Sequence, residues 1–379
     1  MAIVTHKKKL IRAVTVSMSV GFYEPLIPEL QAQGYDVVSV SSPGPELDRL
    51  RAKGVKAIEV SMERRMAPFK DLKSLFKLIK VFNKEKPYIV HSMTPKAGML
   101  CMLAAWLTRV PRRIHTFTGL VWPTASGLSR RVLMFTDWLT CACATHVIPE
   151  GQGVLNDLQM HITHKPMKVL GYGNVRGVDM VQCSRRPEVM LLAERLRKSG
   201  FTFLFVGRLV GDKGINELVQ AFQRLHQEFP QTRLVLIGPH EPVLDPLQPA
   251  TEQVLQESAG IEVVGPKYGD ELLAWYAASD AFVFPSYREG FPNVVLEAGA
   301  MGLPSIVTDI NGSREIIEEG KNGIIIPSKN TDALYSTMKW MLQHPEKTAE
   351  LAENARPMIA SRFERHFVLQ CLYDFYREL

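Results

Sequence analysis

Short apolar runs alternate with amphipathic segments along this 379-residue chain, and this alternation restricts the possible folds more than any other feature. In the first half, LIRAVTVSMS, YDVVSVSSP, KAIEVSM and YIVHSM are separated by helical segments such as DLKSLFKLIKVFNKEK. In the second half, FTFLFVG, TRLVLIG, IEVVG and AFVFPS are separated in the same way. Strands that alternate with helices of about 10 to 15 residues form βαβ units and parallel sheets. We therefore predict an α/β fold with two Rossmann-like parallel-sheet domains.

A stretch rich in turn-forming residues divides the two halves. It reads GYGNVRGVDMVQCSRRPE, residues 171–188, and periodicity resumes after it. We predict an N-terminal domain over 1–175, a C-terminal domain over 176–362, and a final amphipathic helix over 363–379 that packs back on the first domain. Two parallel sheets joined by a linker are expected to face each other across a cleft, with ligands at the carboxyl ends of the strands.

Charge is shared unevenly between the halves. Residues 1–175 hold 24 Lys and Arg against 12 Asp and Glu, whereas residues 176–379 hold 21 against 27. Such asymmetry indicates two domains with different tasks, the first facing something anionic.

The motif GRLVGDKG, residues 207–214, follows a predicted buried strand and precedes a helix. Arg208 and Lys213 are cations on a glycine-bordered loop beside a helix N-terminus, which suits the binding of a diphosphate. The alternative is a surface loop with two solvated charges.

A second motif, REGFPNVVLEA at residues 288–298, also follows a predicted strand. Glu289 should lie in the loop and Glu297 in the helix, which Pro292 can open because its missing N–H would have no partner there. Carboxylates are pure acceptors and suit sugar and ribose hydroxyls. The alternative is structural, with Glu289 paired to Arg288 or Lys267.

Together these motifs resemble those of the family 4 retaining glycosyltransferases, which have the GT-B fold. The resemblance rests on GRLVGDKG and on SDAFVFPSYREGFPNVVLEAGAMGLPSIVTDINGSREII, covers nearly all of residues 200–345, and extends to the linker GYGNVRGVDM. The N-terminal half matches more loosely. Within the family, the chain is most similar to the bacterial capsule and O-antigen branch, including N-acetylgalactosaminyltransferases that extend polyprenyl-diphosphate-linked sugars.

The resemblance implies a role for each matching residue. Arg208 and Lys213 would neutralise the donor diphosphate, Glu289 would bind the transferred sugar beside the reacting carbon, and Glu297 would hold the ribose. The remaining donor-binding candidates are Gly290, Phe291, Asn293 and Val294, through main-chain groups, and Lys267 of GPKYGD beside the nucleobase. The family generally needs no metal or other cofactor, and none is expected here.

In the N-terminal half the chain departs from the family. Many relatives have a histidine directly before a glycine where this chain has Thr118 before Gly119. His115 is a candidate catalytic residue, although a structural role is the alternative. The first loop, SMSVGFYEP, contains only Gly21, which we expect near the donor sugar, with Phe22, Thr118 and Gly119 on the acceptor side.

The segment KDLKSLFKLIKVFNKEK, residues 70–86, has the pattern of a basic amphipathic helix at an anionic membrane surface. Its apolar side consists of Leu72, Leu75, Phe76, Ile79 and Phe82. Further charge comes from Arg109, Arg112, Arg113, Arg130 and Arg131, and Trp122 is expected to be exposed. An ordinary solvated helix face is the alternative. We expect a cytoplasmic protein without signal peptide or spanning helix, attached peripherally to the inner face of a bacterial plasma membrane.

These observations favour a retaining glycosyltransferase that moves a hexose or N-acetylhexosamine from a nucleotide sugar, expected to be UDP-linked, to a polyprenyl-diphosphate-linked saccharide. Neither a nucleic-acid partner nor a cofactor is indicated. A nicotinamide oxidoreductase is disfavoured because no Gly-X-Gly-X-X-Gly follows the first strand. A nucleotide-sugar epimerase of the same fold and a non-catalytic sugar-binding scaffold remain as alternatives.

Overall fold

A computed structural model describes residues 8–64, 67–241 and 245–379. The chain divides into two compact units. Unit 1 contains the described residues up to Arg176 together with Val368–Leu379, and unit 2 is Gly177–Phe367. The boundary between Arg176 and Gly177 lies within the turn-rich stretch 171–188.

Unit 1 is built on a parallel sheet that has six strands within the described residues, in the order β3-β2-β1-β4-β5-β6. The strands are β1 Lys8–Ala13, β2 Tyr35–Ser41, β3 Lys56–Glu59, β4 Ile89–Met93, β5 Arg112–Phe117 and β6 His146–Pro149. The helices are α1 Ile27–Ala32, α2 Pro45–Ala52, α3 Pro68–Glu85, α4 Pro95–Leu107, α5 Gly127–Cys143 and α6 Gln152–His161. Short 3₁₀ turns lie at Ser17–Phe22, Glu24–Leu26 and Trp122–Thr124.

Unit 2 repeats this plan, with six described strands in the order β12-β11-β10-β7-β8-β9. The strands are β7 Thr202–Val206, β8 Arg233–Ile237, β9 Ile261–Val263, β10 Ala281–Phe284, β11 Ser305–Thr308 and β12 Gly323–Ile326. The helices are α7 Pro187–Leu196, α8 Ile215–Glu228, α9 Pro249–Glu257, α10 Gly269–Ala278, α11 Asn293–Ala300, α12 Ser313–Ile316, α13 Thr331–Gln343 and α14 Pro345–Phe363. A 3₁₀ turn lies at Gly211–Lys213.

In each sheet the first three strands are added in one direction and the next three in the opposite direction. The place where the direction reverses is the switch point of the sheet. In unit 1 that point lies between β1 and β4, and in unit 2 between β7 and β10. Every residue of β7, sequence TFLFV, is buried, as expected for a parallel strand covered by helices on both faces. The carboxyl ends of these central strands are where such sheets bind ligands.

The last helix, α15 Arg365–Arg377, returns the chain to unit 1. Its apolar side packs among the buried residues of the first sheet, where Leu369, Leu372, Tyr373 and Tyr376 join Leu10 in one hydrophobic cluster. The Tyr376 hydroxyl accepts a hydrogen bond of 2.6 Å from buried Arg12.

Candidate active site

The loop after β7 brings a cation to the centre of the second sheet. It turns through Gly211–Lys213, and Gly214 then precedes α8 with a positive φ of 72°. A Cβ on Gly214 would stand 2.2 Å from the carbonyl oxygen of Pro285, so only glycine fits both the conformation and the space. Lys213 is thereby held where the loops after β7 and β10 meet.

Lys213 and Glu289 form an ion pair across the switch point. The Lys213 ammonium donates to Glu289 Oε1, and the two side chains are only 12% and 19% exposed. Glu289 also accepts a 3.0 Å hydrogen bond from the Ser286 hydroxyl. Lys213 Nζ lies 5.9 Å from the ring centre of Phe284. Glu289 therefore pairs with neither Arg288 nor Lys267, the partners considered in the structural alternative.

Asp212 ties the same two loops together through its backbone and its carboxylate. Its carbonyl accepts hydrogen bonds from the Tyr287 N–H at 2.8 Å and from the Ser286 hydroxyl at 3.3 Å. Its carboxylate accepts a 3.3 Å bond from Arg288. Sequence reasoning missed Asp212 and Ser286 as positioning residues, although Asp212 belongs to GRLVGDKG and Ser286 belongs to the stretch SDAFVFPSYREG on which the family resemblance rests.

Arg208 lies in the loop after β7, beside the loop after β8. Its guanidinium donates to Glu241 at 3.1 Å, and the two side chains are 40% and 32% exposed. The loop is fixed by the Leu209 N–H, which donates to the Pro239 carbonyl at 2.9 Å. Arg208 is thus a solvent-accessible cation whose carboxylate partner comes from the loop after β8.

The second motif follows β10, and its helix α11 begins at Asn293, one residue later than an opening at Pro292 would place it. Gly290 and Phe291 are buried in the loop, and the Phe291 ring packs against Phe363 with ring centres 5.4 Å apart. The Val294 carbonyl accepts a 3.3 Å hydrogen bond from the Tyr276 hydroxyl.

Glu297 lies one helical turn beyond Val294 on α11 and is half-buried. Burial raises the pKa of the Tyr276 phenol well above its ordinary value, and the neighbouring Glu297 carboxylate, to which it is hydrogen-bonded, adds to the rise. The neutral phenol therefore holds Glu297 from α10, a contact that the sequence did not suggest.

Lys267 lies in the loop after β9 and pairs with Glu271 at 3.3 Å. That loop is joined to the loop after β8, because the Gly238 N–H donates to the Gly265 carbonyl at 3.1 Å. The predicted residues thus follow the carboxyl ends of three strands of unit 2: Arg208 and Lys213 follow β7, Glu289 follows β10, and Lys267 follows β9.

In unit 1 the predicted residues also follow strands. Gly21 and Phe22 end the 3₁₀ turn after β1, and Thr118 and Gly119 follow β5. All four are half-buried. A Cβ on Gly21 would meet nothing within 4 Å, so the space beside it is open.

His115 has a different environment from these loop residues. Its side chain is 1% exposed, accepts or donates a 2.8 Å hydrogen bond with Ser92, and packs edge-on against Phe117 at 4.5 Å. A Cβ on Gly98 of α4 would stand 2.4 Å from the imidazole. Burial lowers the pKa of His115 to about 3. This packing between the sheet and α4 favours a structural role.

Comparison with known structures identifies the class of fold. The chain superposes on HepE of Anabaena, solved in complex with UDP, with a TM-score of 0.79 at 19% identity, covering 98% of this chain and 100% of that one. It superposes on WaaG, a glycosyltransferase of lipopolysaccharide biosynthesis, with a TM-score of 0.71 at 15% identity, covering 96% and 98%. Two Rossmann-type parallel sheets with these neighbours define the GT-B fold, as predicted.

Family models and a full-length relative then fix the family. Residues 193–358 match the glycosyl transferases group 1, and residues 13–139 match the glycosyl transferase 4-like domain. The capsular polysaccharide biosynthesis glycosyltransferase CapM of Staphylococcus aureus is 31% identical over 97% of each chain. The chain therefore belongs to the family 4 glycosyltransferases. An Escherichia coli galactosyltransferase that acts from UDP-Gal on α-D-GlcNAc-diphosphoundecaprenol is 28% identical over 73% of this chain and 71% of its own.

Proposed function

We propose that this glycosyltransferase moves a hexose or N-acetylhexosamine, with retention of anomeric configuration, from a UDP-sugar to a polyprenyl-diphosphate-linked saccharide during synthesis of a bacterial surface polysaccharide. The observation that carries the proposal is the Lys213–Glu289 pair at the switch point of unit 2. It combines, at the ligand-binding edge of the sheet, a cation for a diphosphate and a carboxylate for sugar hydroxyls.

The donor would lie along the strand ends of unit 2. Lys213 and Arg208 would bind the diphosphate, and Glu289 would accept hydrogen bonds from the transferred sugar. Glu297 would hold the ribose, and Lys267 would lie beside the base. Main-chain groups of Gly290, Phe291, Asn293 and Val294 would complete the contacts, and Gly21 is a further proposed donor-binding residue.

Two relatives support the proposed donor and acceptor. The Escherichia coli enzyme is named for a UDP-sugar donor and a diphosphoundecaprenol-linked acceptor, and the Staphylococcus aureus relative for capsular polysaccharide. A UDP donor and a lipid-linked acceptor are therefore the first substrates to test. Phe22, Thr118 and Gly119 are the proposed acceptor-side residues.

In the proposed reaction an acceptor hydroxyl oxygen bonds to the anomeric carbon on the face from which the diphosphate leaves. The bond between that carbon and the diphosphate oxygen breaks, and the hydroxyl proton passes to the departing phosphate. Negative charge grows on the leaving group, so Lys213 and Arg208 stabilise the transition state more than the ground state. These two cations would do the work that a metal ion does in other transferases, and we propose that no metal is required.

The test measures sugar transfer and anomeric configuration with a synthetic lipid-diphosphate acceptor and a panel of UDP-, GDP- and ADP-sugars. Lys213→Ala and Glu289→Ala should each lower transfer by at least a hundredfold. Lys339→Ala is the matched control, because it breaks another Lys–Glu pair of unit 2, the 2.6 Å contact with Glu228, away from the site. Near wild-type transfer by either site variant would refute the assignment. Formation of an epimerised donor without transfer would instead identify an epimerase.

We also propose that unit 1 attaches to an anionic membrane through α3. The helix buries Leu78 and Phe82, whereas Phe69, Leu72 and Phe76 are 91%, 51% and 58% exposed. Lysines flank these exposed apolar side chains: Lys70, Lys73, Lys77 and Lys80. Apolar insertion together with basic charge is the combination that binds peripheral helices to anionic lipid.

Trp122 does not belong to this surface, contrary to the sequence prediction. Its side chain is only 2% exposed, because the 3₁₀ turn folds it onto His161, with ring centres 5.3 Å apart, and Arg130 covers the indole at 5.6 Å. Two aromatic side chains of the following helix α5, Phe135 and Trp138, are exposed instead, and their rings stack on each other. Among the described residues, no helix has both the length and the hydropathy needed to cross a bilayer.

Co-sedimentation with vesicles of phosphatidylglycerol and phosphatidylcholine tests the membrane proposal. Phe69→Ser combined with Phe76→Ser should lower the partition coefficient at least tenfold, since each buried phenyl ring contributes about 1.5 to 3 kcal/mol. Leu191→Ser is the control, because it removes a comparably exposed apolar side chain from unit 2. Failure of the unmodified protein to bind at low salt would refute the idea.

A further inference from the structure

A cavity of about 520 Å³ lies at the outer edge of unit 2, away from the candidate active site. Strand β12, which borders it, is the edge strand and is separated from β7 by β11 and β10. Glu319 and Gly320 precede β12, so the cavity lies toward the amino end of this strand. The residues of the proposed donor site, in contrast, follow the carboxyl ends of their strands.

The cavity is formed where α13 and α14 meet the turn before β12. Its walls consist of Glu319, Gly320, Ile324, Ser336, Thr337, Trp340, Lys347, Glu350 and Leu351. Its size falls in the range of ligand pockets, about 300 to 1,000 Å³. Leu351 is 4% exposed and joins the hydrophobic core, so the cavity has a packed apolar base.

The walls are fixed by contacts of their own. The turn before β12 is closed by the Gly320 N–H, which donates to the Gly323 carbonyl at 2.9 Å, and Gly320 has a positive φ of 72°. Glu319 accepts a 2.5 Å hydrogen bond from the Ile325 N–H. On α13, the Trp340 indole stacks on His344 with ring centres 4.9 Å apart. The carboxylate and the aromatic ring are therefore held in place without a ligand.

The charges disfavour an anionic ligand. Among the described residues, the lining contains the carboxylates of Glu319 and Glu350 and one ammonium, on Lys347, which pairs with Glu350 at 2.9 Å. The remaining net charge is negative, so a phosphate would be repelled. A neutral polyhydroxyl ligand suits this lining, because carboxylates accept hydrogen bonds from hydroxyl groups and Ser336 and Thr337 bring further donors and acceptors.

The aromatic ring points to the ligand class. An indole carries negative charge density on its faces, which attracts the weakly positive C–H groups on the flat side of a pyranose ring. We propose that this cavity is a second, non-catalytic saccharide site, which binds a neutral sugar of one or two rings on Trp340 with its hydroxyls directed to Glu319. The role of this site rests on the proposed transferase function. It would allow the enzyme to retain a growing saccharide between transfers.

Indole resonances of the ¹⁵N-labelled full-length protein provide a direct test. Trp340→Phe assigns the relevant signal among the five tryptophans. Methyl glycosides of galactose, glucose and N-acetylglucosamine are the probes, and at least one should shift the Trp340 signal while the Trp106 signal of unit 1 stays unchanged. Galactose 1-phosphate should bind at least tenfold more weakly than methyl galactoside.

Ser336→Arg tests the location, because Ser336 is exposed on α13 and a long side chain there fills the cavity without removing a core contact. It should weaken glycoside binding at least tenfold and leave transfer to a short acceptor unchanged. Lys213→Ala should leave binding at Trp340 intact, so a failure of the proposed transferase activity is distinguishable from a failure of this site. A Trp340 signal that none of the glycosides shifts, or a shift that survives Ser336→Arg, would overturn the proposal.

Discussion

Replacing Lys213 by methionine should destabilise unit 2 as well as abolish activity. Methionine keeps most of the side-chain volume but removes the ammonium, which leaves the Glu289 carboxylate without its cation in a site where it is 19% exposed. Removing one partner of a buried ion pair costs about 3 to 5 kcal/mol, because the remaining charge stays desolvated. The 3.0 Å hydrogen bond from Ser286 remains, so the lower part of this range is expected.

Arg208 provides the contrast, because it is the second proposed diphosphate cation but is far more exposed. Its pair with Glu241 joins side chains that are 40% and 32% exposed, and such pairs contribute about 0.2 to 1 kcal/mol. Arg208→Ala should therefore reduce activity with little change in stability. In a unit of this size 1 kcal/mol shifts the melting temperature by about 2 to 4 °C. Lys213→Met should thus lower it by roughly 6 °C or more, and Arg208→Ala by less than about 4 °C.

Differential scanning calorimetry measures the shifts, and hydrogen exchange assigns the affected transition to Gly177–Phe367. The double variant Lys213→Met with Glu289→Gln removes both charges and should recover much of the lost melting temperature. If Lys213→Met has the same melting temperature as the unmodified protein, the pair is not buried as described. If the double variant is no more stable than Lys213→Met, the two charges are not coupled as described.

The other predictions concern backbone fit and pH. Gly214→Ala should abolish donor binding, and it should lower the melting temperature by more than Gly302→Ala does. Both glycines have positive φ, but of the two only Gly214 has a neighbour, the Pro285 carbonyl, within reach of a Cβ. Equal losses of stability in the two variants would contradict this prediction. Burial raises the pKa of Asp137 to about 7, so its contribution to stability is fully present below its unfolded pKa of about 4 and is lost as pH rises through 7. The melting temperature of Asp137→Asn should therefore exceed that of the unmodified protein at about pH 8, and the difference should vanish toward about pH 4. A difference that does not depend on pH would show that Asp137 is not buried as a neutral acid.

The sequence predicted the two sheets because apolar runs of strand length alternate with amphipathic helices in both halves. It also selected the loops after β7 and β10, since each carries charged residues between a strand and a helix. The direct contact between these two loops could not be predicted from the sequence pattern. Lys213 and Glu289 are 76 positions apart, and they meet because β7 and β10 are neighbours at the switch point.

Other features depend on packing that no local pattern records. Trp122 lies in a segment rich in small and polar residues and was expected at the surface, yet a single 3₁₀ turn places it against His161. The apolar side of α3 was expected to form one stripe. The structure divides it, because Phe82 packs in the hydrophobic core of unit 1 whereas Phe76 is exposed. Tyr276, which supports Glu297, lies in a different helix and belongs to no motif.

A difference between the two sheets favours the proposed placement of the anionic donor in unit 2. Both have the same strand order, and in both the loop after the first strand is bonded to the loop after the fourth. In unit 2 that link includes the charged pair of Lys213 and Glu289. In unit 1 it is neutral: the hydroxyls of Thr15 and Thr94 are 2.8 Å apart, and the Thr15 N–H donates to Thr94 at 3.1 Å. A diphosphate requires cations at its binding edge, whereas a saccharide hydroxyl requires neutral donors and acceptors. This difference at the switch point is therefore consistent with the proposal that unit 2 binds the nucleotide sugar and unit 1 the saccharide acceptor.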